Sequence, residues 1–206
     1  MPQVALLEQR AIKEVNSGVY AFEASLLADS VKRVPTNNAK GEEYLTDVVA
    51  ILRAEGHRVA SVLDEDAKEV FGVNDRAQLA QARRTLNARL LEHWMRAGVT
   101  IIDPLTTAID ADVVIGKDAE IGPSTQLEGT TVIEAGARVG PGCLLRDTTV
   151  GAGATVTHAV CESAVIGAGA AVGPFVHLPP GTRIGPGERL AGSPGALGGA
   201  RPGGTT

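Results

Sequence analysis

The sequence predicts two structural parts, a short α/β segment followed by a parallel β-helix, a fold in which short strands stack coil upon coil. Through most of residues 114–190, aliphatic residues recur every six positions, a period that fits neither an α-helix nor a lone strand. Gly follows many of these aliphatic residues, and a small residue commonly stands two positions before the next one. Before residue 74, segments typical of strands alternate with segments of helical period, which favours an α/β layer.

The aliphatic series defines the repeat region. Its members are Ile115, Ile121, Leu127, Ile133, Val139, Leu145, then, after a one-residue slip, Val150 and Val156, and finally Val160, Ile166, Val172, Leu178, Ile184 and Leu190. The accompanying small residues are Ala119, Thr125, Ala137, Cys143, Ala154, Ala170 and Thr182. We expect both sets to point inward and Gly or Pro to occupy the corners.

The segments before the repeats predict three strands and three helices. Strands are expected at 14–22, 57–63 and 71–74, where Val and aromatic residues are frequent. Helices are expected at 23–34, 43–55 and 75–97, each with an apolar stripe at helical spacing. The stripes are Leu26, Leu27 and Val31; then Tyr44, Leu45, Val48, Val49 and Leu52; then Leu79, Ala82, Leu86, Leu90 and Trp94. Gly56 and Gly98 follow the last two helices and are expected to end them.

Composition excludes several classes of function. The net charge is −5 and no Lys/Arg cluster occurs, which argues against a nucleic-acid partner. No apolar run reaches the length of a membrane span, and the N-terminal residues do not have the pattern of a signal peptide, so we expect a cytoplasmic protein. Cys143 and Cys161 lack CxxC spacing, and we expect reduced thiols, buried or solvent-facing, rather than a disulfide or a metal pair.

Five segments together resemble one enzyme family. They are EVNSG at 14–18, NNAKGEEYLTD at 37–47, GVNDR at 72–76, AGV at 97–99 followed by Asp103-Pro104, and the hexads that continue through GPF at 173–175. Over about residues 8–190 the chain resembles the bacterial bifunctional N-acetylglucosamine-1-phosphate uridyltransferase and glucosamine-1-phosphate acetyltransferase. The order and spacing of the segments make this resemblance specific.

The resemblance implies a fold for each part of the chain. Residues 1–74 would be the C-terminal part, an α/β remnant, of a Rossmann-like nucleotidyltransferase domain, and 75–97 would be a linking helix. Residues 105–190 would form a left-handed parallel β-helix of hexapeptide repeats that trimerises. The last segment, 191–206, is expected to be disordered, because its Gly, Pro and small residues cannot bury a core.

The resemblance also implies a chemistry and two site residues. In the family, acetyl-CoA acetylates glucosamine-1-phosphate, and UTP then couples to the product with Mg²⁺, which gives UDP-N-acetylglucosamine for the cell wall. Asn16 would contact the sugar nucleotide, and Asn74 would contact the same ligand and complete the magnesium site, since an amide oxygen can ligate a hard cation. From the residues alone, Asn16 could instead be a turn residue and Asn74 the N-cap of the helix at 75–97.

Other catalytic groups of the family have no match. The family places an Arg that binds the sugar phosphate where this chain has Pro179, in FVHLPPG at 175–181. Residues 1–73 contain no Gly-rich phosphate loop, and the aspartate that shares the magnesium is not found. His158 and His177 are expected to face outward rather than to act as general bases. We therefore assign no catalytic residue.

Three functional hypotheses remain. The first is an inactive part of the bifunctional enzyme. The second is a scaffold that forms a homotrimer or joins a full-length homologue through its coil faces. The third is a stand-alone hexapeptide-repeat acyltransferase, which we rank last because it would depend on His158 or His177 without the phosphate-binding Arg.

Overall fold

The computed structural model describes residues 13–36, 41–66 and 69–192, and the chain divides into two compact units, Met1–Leu79 and Ala80–Thr206. The tail predicted at 191–206 lies outside the described residues from 193 onward, as does the start of the resemblance segment 37–47. In the described part of the chain, no helix has the length and apolar content of a membrane span.

Two helices of the first unit confirm the predictions at 23–34 and 43–55. They are α1, Ala24–Val31, and α2, Leu45–Ala54. The apolar stripe of α2 is buried at Val48 and Leu52. Gly56 ends α2 in a left-handed conformation, with φ at 82°. The backbone N–H of the next residue, His57, donates to the Leu52 carbonyl at 3.0 Å, so the last carbonyls of the helix are paired.

The strands predicted at 14–22, 57–63 and 71–74 are wrong, because no described residue before Thr100 lies in a strand. Val62 is 97% exposed and Leu63 is 68% exposed. A strand needs a neighbouring strand for its backbone N–H and C=O groups, and the described residues of the first unit do not supply one. The described part of residues 1–74 therefore does not show a Rossmann-like remnant.

The third helix, α3, spans Arg76–Arg96 and matches the prediction at 75–97 within one residue at each end. Its buried residue is Leu91, and Trp94 packs against the coil core. The predicted stripe is wrong at Leu79 and Leu86, which are exposed. Gly98, with φ at 95°, follows the helix as expected.

The described residues from Thr100 to Leu190 form sixteen short strands in three sheets. Sheet 1 contains β1 Thr100–Ile101, β4 Glu120–Ile121, β7 Arg138–Val139, β10 Thr155–Val156, β13 Ala171–Val172 and β16 Arg189–Leu190. Sheet 2 contains β2 Ala108–Ile109, β5 Gln126–Glu128, β8 Leu144–Arg146, β11 Ala159–Glu162 and β14 Val176–Leu178. Sheet 3 contains β3 Val114–Ile115, β6 Val132–Ile133, β9 Thr149–Val150, β12 Val165–Ile166 and β15 Arg183–Ile184.

Each strand from β1 to β13 pairs in parallel with the third strand after it, so three strands complete one coil. Ile115 lies beside Ile133 in sheet 3, and Ile121 lies beside Val139 in sheet 1. The fold is thus a parallel β-helix of about five coils, as the hexad period predicts. Its first strand begins at Thr100, before the predicted start at 105. The left-handed sense of the coil stays a prediction.

The aliphatic series fills the inside of the coil, with one correction. The residues from Ile115 to Val156 in the series are buried, as are Ile166, Val172, Leu178 and Ile184. Val160, however, points outward, and Cys161 takes the inward place because the register sets Cys161 beside Leu145 and Val160 beside Leu144. The steps from Val156 to Cys161 and from Cys161 to Ile166 are therefore five residues each, where the predicted series has four and six.

The corners carry residues in left-handed conformations, but these are not all Gly. Six non-Gly corner residues have positive φ: Asp118, Ser124, Asp147, His158, Ser163 and Phe175. Where the backbones of successive coils meet closely, Gly is needed for space. A Cβ on Gly151 would lie 2.5 Å from the backbone nitrogen of Ala168 in the next coil.

Candidate functional site

Asn16 lies in a turn before α1. Its Oδ1 accepts a hydrogen bond from the Gly18 backbone N–H at 3.0 Å, and its Nδ2 donates to the Tyr20 hydroxyl. An Asn whose side chain bonds the backbone two residues ahead forms an Asx turn, which agrees with the turn alternative. The contact with a sugar nucleotide that the resemblance implies stays a prediction.

Asn74 precedes α3, but it is not the N-cap. Asp75 is the cap, because its Oδ1 accepts from the Gln78 backbone N–H at 2.7 Å. Gln78 in turn reaches back, and its Oε1 accepts from the Asn74 backbone N–H at 2.7 Å. The cap alternative for Asn74 is therefore wrong, and its side chain is exposed beside the helix N-terminus. The hydrogen bonds of Asn16 and Asn74 are local and do not join the two residues.

The outward face of sheet 2 carries a charged row that consists of Glu128, Arg146, Glu162 and His177. Arg146 donates from Nη2 and Nε to Glu128 Oε2 at 2.6 and 2.9 Å. Its Nη1 lies 3.9 Å from Glu162 Oε1. Glu128, Arg146 and Glu162 are neighbours because they lie in register on successive coils. His177 lies beside Val160 in the register and reaches Glu162 diagonally. The hydrogen bond to Glu128 raises the pKa of the Arg146 guanidinium further above its ordinary value.

His177 ends the charged row and has a carboxylate partner. Its Nε2 lies 3.5 Å from Glu162 Oε2, and its side chain is 61% exposed. The prediction that His177 faces outward is confirmed, but the carboxylate partner could not be predicted from residue spacing. A histidine oriented by a carboxylate is the arrangement of many general bases. Here the pair lies on an open face rather than in a cleft.

His158 and Phe175 form an aromatic pair at the corner between sheets 1 and 2. Their ring centroids lie 5.7 Å apart at an interplanar angle of 41°. The Phe175 backbone N–H donates to the His158 carbonyl at 2.8 Å, and the Phe175 side chain is 71% exposed. The corner conformation turns both side chains away from the core, so His158 also faces outward as predicted.

Cys143 and Cys161 lie inside the coil and are not part of an exposed site. Both thiols are free and buried. Cys143 Sγ lies 3.5 Å from the Val156 carbonyl. Burial raises the pKa of the Cys161 thiol to about 12, and burial also raises the pKa of Cys143. Buried thiols with raised pKa values are poor nucleophiles and metal ligands, which agrees with the prediction of reduced thiols.

The raised pKa of Cys161 predicts a loss of stability at alkaline pH. The unfolded thiol loses its proton near pH 8.5, whereas the folded thiol holds it to about pH 12. Between these values the unfolded state binds fewer protons, so the free energy of unfolding falls as pH rises, by up to about 1.4 kcal/mol per pH unit. Below pH 8 the thiol is protonated in both states, so its full contribution to the free energy of unfolding is present.

The measurement is urea unfolding at pH 8, 9 and 10, followed by the fluorescence of Trp94, the single tryptophan, which packs against the coil core. Cys161→Ala is the matched control, because Cys143 remains in both proteins. We expect the wild type to lose more stability than Cys161→Ala as pH rises. Equal slopes for the two proteins would contradict the prediction.

Comparison with known proteins supplies the family. No protein-family model matches the chain. The bifunctional protein GlmU of Streptomyces avermitilis is 56% identical over 177 residues, which are 86% of this chain and 37% of that protein. The bifunctional protein GlmU of Kineococcus radiotolerans is 56% identical over 181 residues, which are 88% of this chain and 37% of that protein. This is a partial GlmU-like chain.

The GlmU-like chain thus spans less than two fifths of the length of these relatives. Among solved structures, a hexapeptide transferase family protein from Anaplasma phagocytophilum is 24% identical over 47% of this chain and 75% of that one, with a TM-score of 0.36. That TM-score is too low to carry an argument. The coil architecture of the GlmU-like chain is established by its own strand register.

Pro179 marks the main chemical departure of this GlmU-like chain. It follows β14, and its carbonyl accepts hydrogen bonds from the Thr182 hydroxyl at 2.6 Å and the Thr182 backbone N–H at 3.2 Å. Pro179 therefore shapes the corner with its backbone. Its ring carries no charge, so it cannot hold a sugar phosphate as an Arg would.

The described residues of the GlmU-like chain do not by themselves fit a magnesium site. Mg²⁺ requires several oxygen ligands, and carboxylates or phosphates usually supply some of them. Asn74 offers one amide oxygen, and within the described ranges no cluster of three or more His, Cys, Asp or Glu side chains could hold a metal. The magnesium role of Asn74 stays a prediction.

Proposed function

We propose that this chain contributes the β-helix of a GlmU-like acetyltransferase half, together with a portion of the uridyltransferase half, and that alone it turns over neither reaction. The observation that carries the proposal is that the GlmU-like sequence coincides with an in-register coil from Thr100 to Leu190. The complete activity would convert glucosamine-1-phosphate, acetyl-CoA and UTP into UDP-N-acetylglucosamine for cell-wall synthesis. The role of this chain in it is that of a rigid support.

Two features of the coil support the absence of turnover. The place of the phosphate-binding Arg is held by Pro179, which has no charge to offer. His177 faces Glu162 on an exposed row rather than in a closed site. Acyl transfer to an amine needs a base beside a bound acceptor, and this coil lacks the cation that the family uses to bind the phosphate of that acceptor.

Restoring the cation provides the test. We expect Pro179→Arg to tighten binding of glucosamine-1-phosphate by about tenfold, because a charge-assisted hydrogen bond to phosphate contributes on the order of 1.5 kcal/mol or more. Binding is measured by titration calorimetry. Pro180→Arg is the matched control. Pro180 is also exposed, and its replacement by Arg adds the same charge one residue later.

Two results would contradict the proposal. Equal binding by Pro179→Arg and Pro180→Arg would mean that the position has no relation to a sugar-phosphate site. Release of free coenzyme A thiol by the unmodified chain, supplied with acetyl-CoA and glucosamine-1-phosphate, would mean that the chain is an active enzyme.

A stand-alone coil acyltransferase is the second candidate, and one observation favours it. Glu162 lies within 3.5 Å of His177 and could orient the imidazole as a base. For this candidate, thiol release from acetyl-CoA with an amino-sugar acceptor would fall at least a hundredfold in His177→Ala. His158→Ala, which removes the other exposed coil imidazole, is the control.

The finer points of the proposal rest on the GlmU likeness. We infer a homotrimer, or association with a full-length homologue, Mg²⁺ bound with the help of Asn74 in the complete protein, and a cytoplasmic location that suits the free thiols of Cys143 and Cys161. Light scattering coupled to size-exclusion chromatography tests the assembly. The assembly would be contradicted if this chain had the mass of a single copy both alone and in a mixture with the homologue.

A further inference from the structure

A side chain of α3 pairs with the outer edge of β2, the first strand of sheet 2. Along its other edge β2 pairs with β5. Asn87 lies on the outer edge, where its Nδ2 donates to the Thr107 carbonyl at 2.9 Å and its Oδ1 accepts from the Ile109 N–H at 3.0 Å. One side-chain amide therefore supplies the donor and the acceptor that the backbone of a neighbouring parallel strand would supply.

Both backbone groups that Asn87 pairs with belong to buried residues. Thr107 is 2% exposed and Ile109 is 4% exposed, and Asn87 itself is half-buried. A buried N–H or C=O group needs a partner within the protein, and leaving it unpaired is costly. A position of α3 that moved the amide away would therefore leave the Thr107 carbonyl and the Ile109 N–H without the partner that they have here.

The apolar contacts of α3 do not by themselves specify one position of the helix. Leu91 belongs to the buried cluster of the coil, and Trp94 packs against that cluster. Burial of apolar surface has no preferred direction and depends mainly on the area removed from water. Leu90, which is half-buried, precedes Leu91 directly, so a rotation of α3 would present one leucine to the coil in place of another.

The neighbours of Asn87 on α3 cannot replace its amide. The residues one position or one turn away are Arg83, Arg84, Leu86, Ala88, Leu90 and Leu91. An Arg side chain has donors but no acceptor, and Leu and Ala have neither. A shift of α3 by one residue or one turn would therefore lose at least one of the two hydrogen bonds at β2.

We propose that Asn87 sets the register of α3 on the first coil, so that its amide selects one docked position of the helix. Leu91 and Trp94 hold α3 against the coil, and Asn87 determines which residues of α3 meet β2. In coiled coils, a single polar residue among apolar contacts fixes the register of paired helices in the same way, because other arrangements leave a buried polar group unpaired.

The experiment uses the full chain labelled with fluorotryptophan, and fluorine NMR then reports the surroundings of Trp94, the single tryptophan. Asn87→Leu keeps a side chain of similar size and removes both hydrogen bonds. We expect one resonance for the wild type. For Asn87→Leu we expect either several resonances or one broadened about twofold or more, because α3 then occupies more than one position. Amide hydrogen exchange at Ile109 should accelerate about tenfold or more in this variant.

Leu91→Ala is the matched control, because it weakens the apolar contact of α3 and keeps the amide of Asn87. This variant should unfold at a lower urea concentration than the wild type and still give one sharp Trp94 resonance. Asn87→Asp keeps an acceptor for the Ile109 N–H and loses the donor to the Thr107 carbonyl. Its resonance and its exchange rate at Ile109 should lie between those of the wild type and Asn87→Leu.

Four results would overturn the proposal. The first is one sharp Trp94 resonance in folded Asn87→Leu. The second is broadening in Leu91→Ala as large as that in Asn87→Leu, because apolar contact would then set the position. The third is unchanged exchange at Ile109 in Asn87→Leu. The fourth is loss of folded structure in both Asn87 variants, because Asn87 would then be required for folding itself rather than for selecting the position of α3.

Discussion

Gly151→Ala is expected to destabilise the coil by about 3 kcal/mol. The added Cβ would lie 2.5 Å from the backbone nitrogen and 2.9 Å from the Cα of Ala168, and 2.8 Å from the carbonyl carbon of Gly167. All three are backbone atoms of the following coil, so no side-chain rotation can relieve the clash. The two coils must separate at this corner, and the ladder bond from the Gly151 N–H to the Ile166 carbonyl, 2.8 Å long, would be strained.

Gly153→Ala is the matched control, two residues further along the same corner. A Cβ on Gly153 would have no heavy atom within 4 Å, so its cost comes only from the left-handed backbone, with φ at 65°. That cost is about 1 kcal/mol. Urea unfolding followed by Trp94 fluorescence measures both variants. Equal losses would show that coil contact does not set the requirement for Gly151.

Leu145→Ala is expected to lower the free energy of unfolding by about 2–5 kcal/mol. Leu145 is fully buried, and the register sets it between Leu127 of the preceding coil and Cys161 of the next. Truncation leaves a cavity inside a narrow core, and strands held by ladders on both sides have little freedom to close it. The change should appear as a lower urea midpoint with little change in slope.

Leu105→Ala provides the comparison for Leu145→Ala. Leu105 is 96% exposed and lies in the same unit of the chain. The same truncation at this surface position should change stability by no more than about 0.5 kcal/mol. A loss at Leu105 as large as that at Leu145 would contradict the assignment of the inward face.

The coil could be predicted from the sequence because its period is local. Each aliphatic residue of the hexad series meets its counterpart one coil away, so repetition along the chain becomes stacking in space. The prediction was wrong at Val160, where the series does not indicate which of two neighbouring residues turns inward. The register beside Leu144 and Leu145 decides this, and it selects Cys161.

In the first unit, by contrast, the predicted strands were wrong. Segments 14–22 and 57–63 have the composition of strands, but composition cannot supply a neighbouring strand. The described residues before Thr100 contain none. The helices α1 and α2 were predictable because their hydrogen bonds lie within the segment itself, whereas a strand depends on residues elsewhere in the chain.

The candidate site could be predicted only in part. The sequence identified Pro179 as a departure from the family, and it placed His158 and His177 on the outside. It did not show that Glu162 faces His177, or that Asp75 rather than Asn74 caps α3. These contacts depend on coil register and on cap geometry, which residue types alone do not specify.

By itself the sequence determined the coil, most of its inward residues and the kinship with GlmU, because hexads and motif order are properties of the linear chain. Tertiary structure alone decided which side chains from different coils meet, such as Arg146 with Glu128. It also decided that the Asn87 side chain of α3 donates to the Thr107 carbonyl and accepts from the Ile109 N–H at the first strand of sheet 2. The physical reason is that backbone pairing across coils brings together residues far apart in sequence, and that pairing is fixed only when the chain folds.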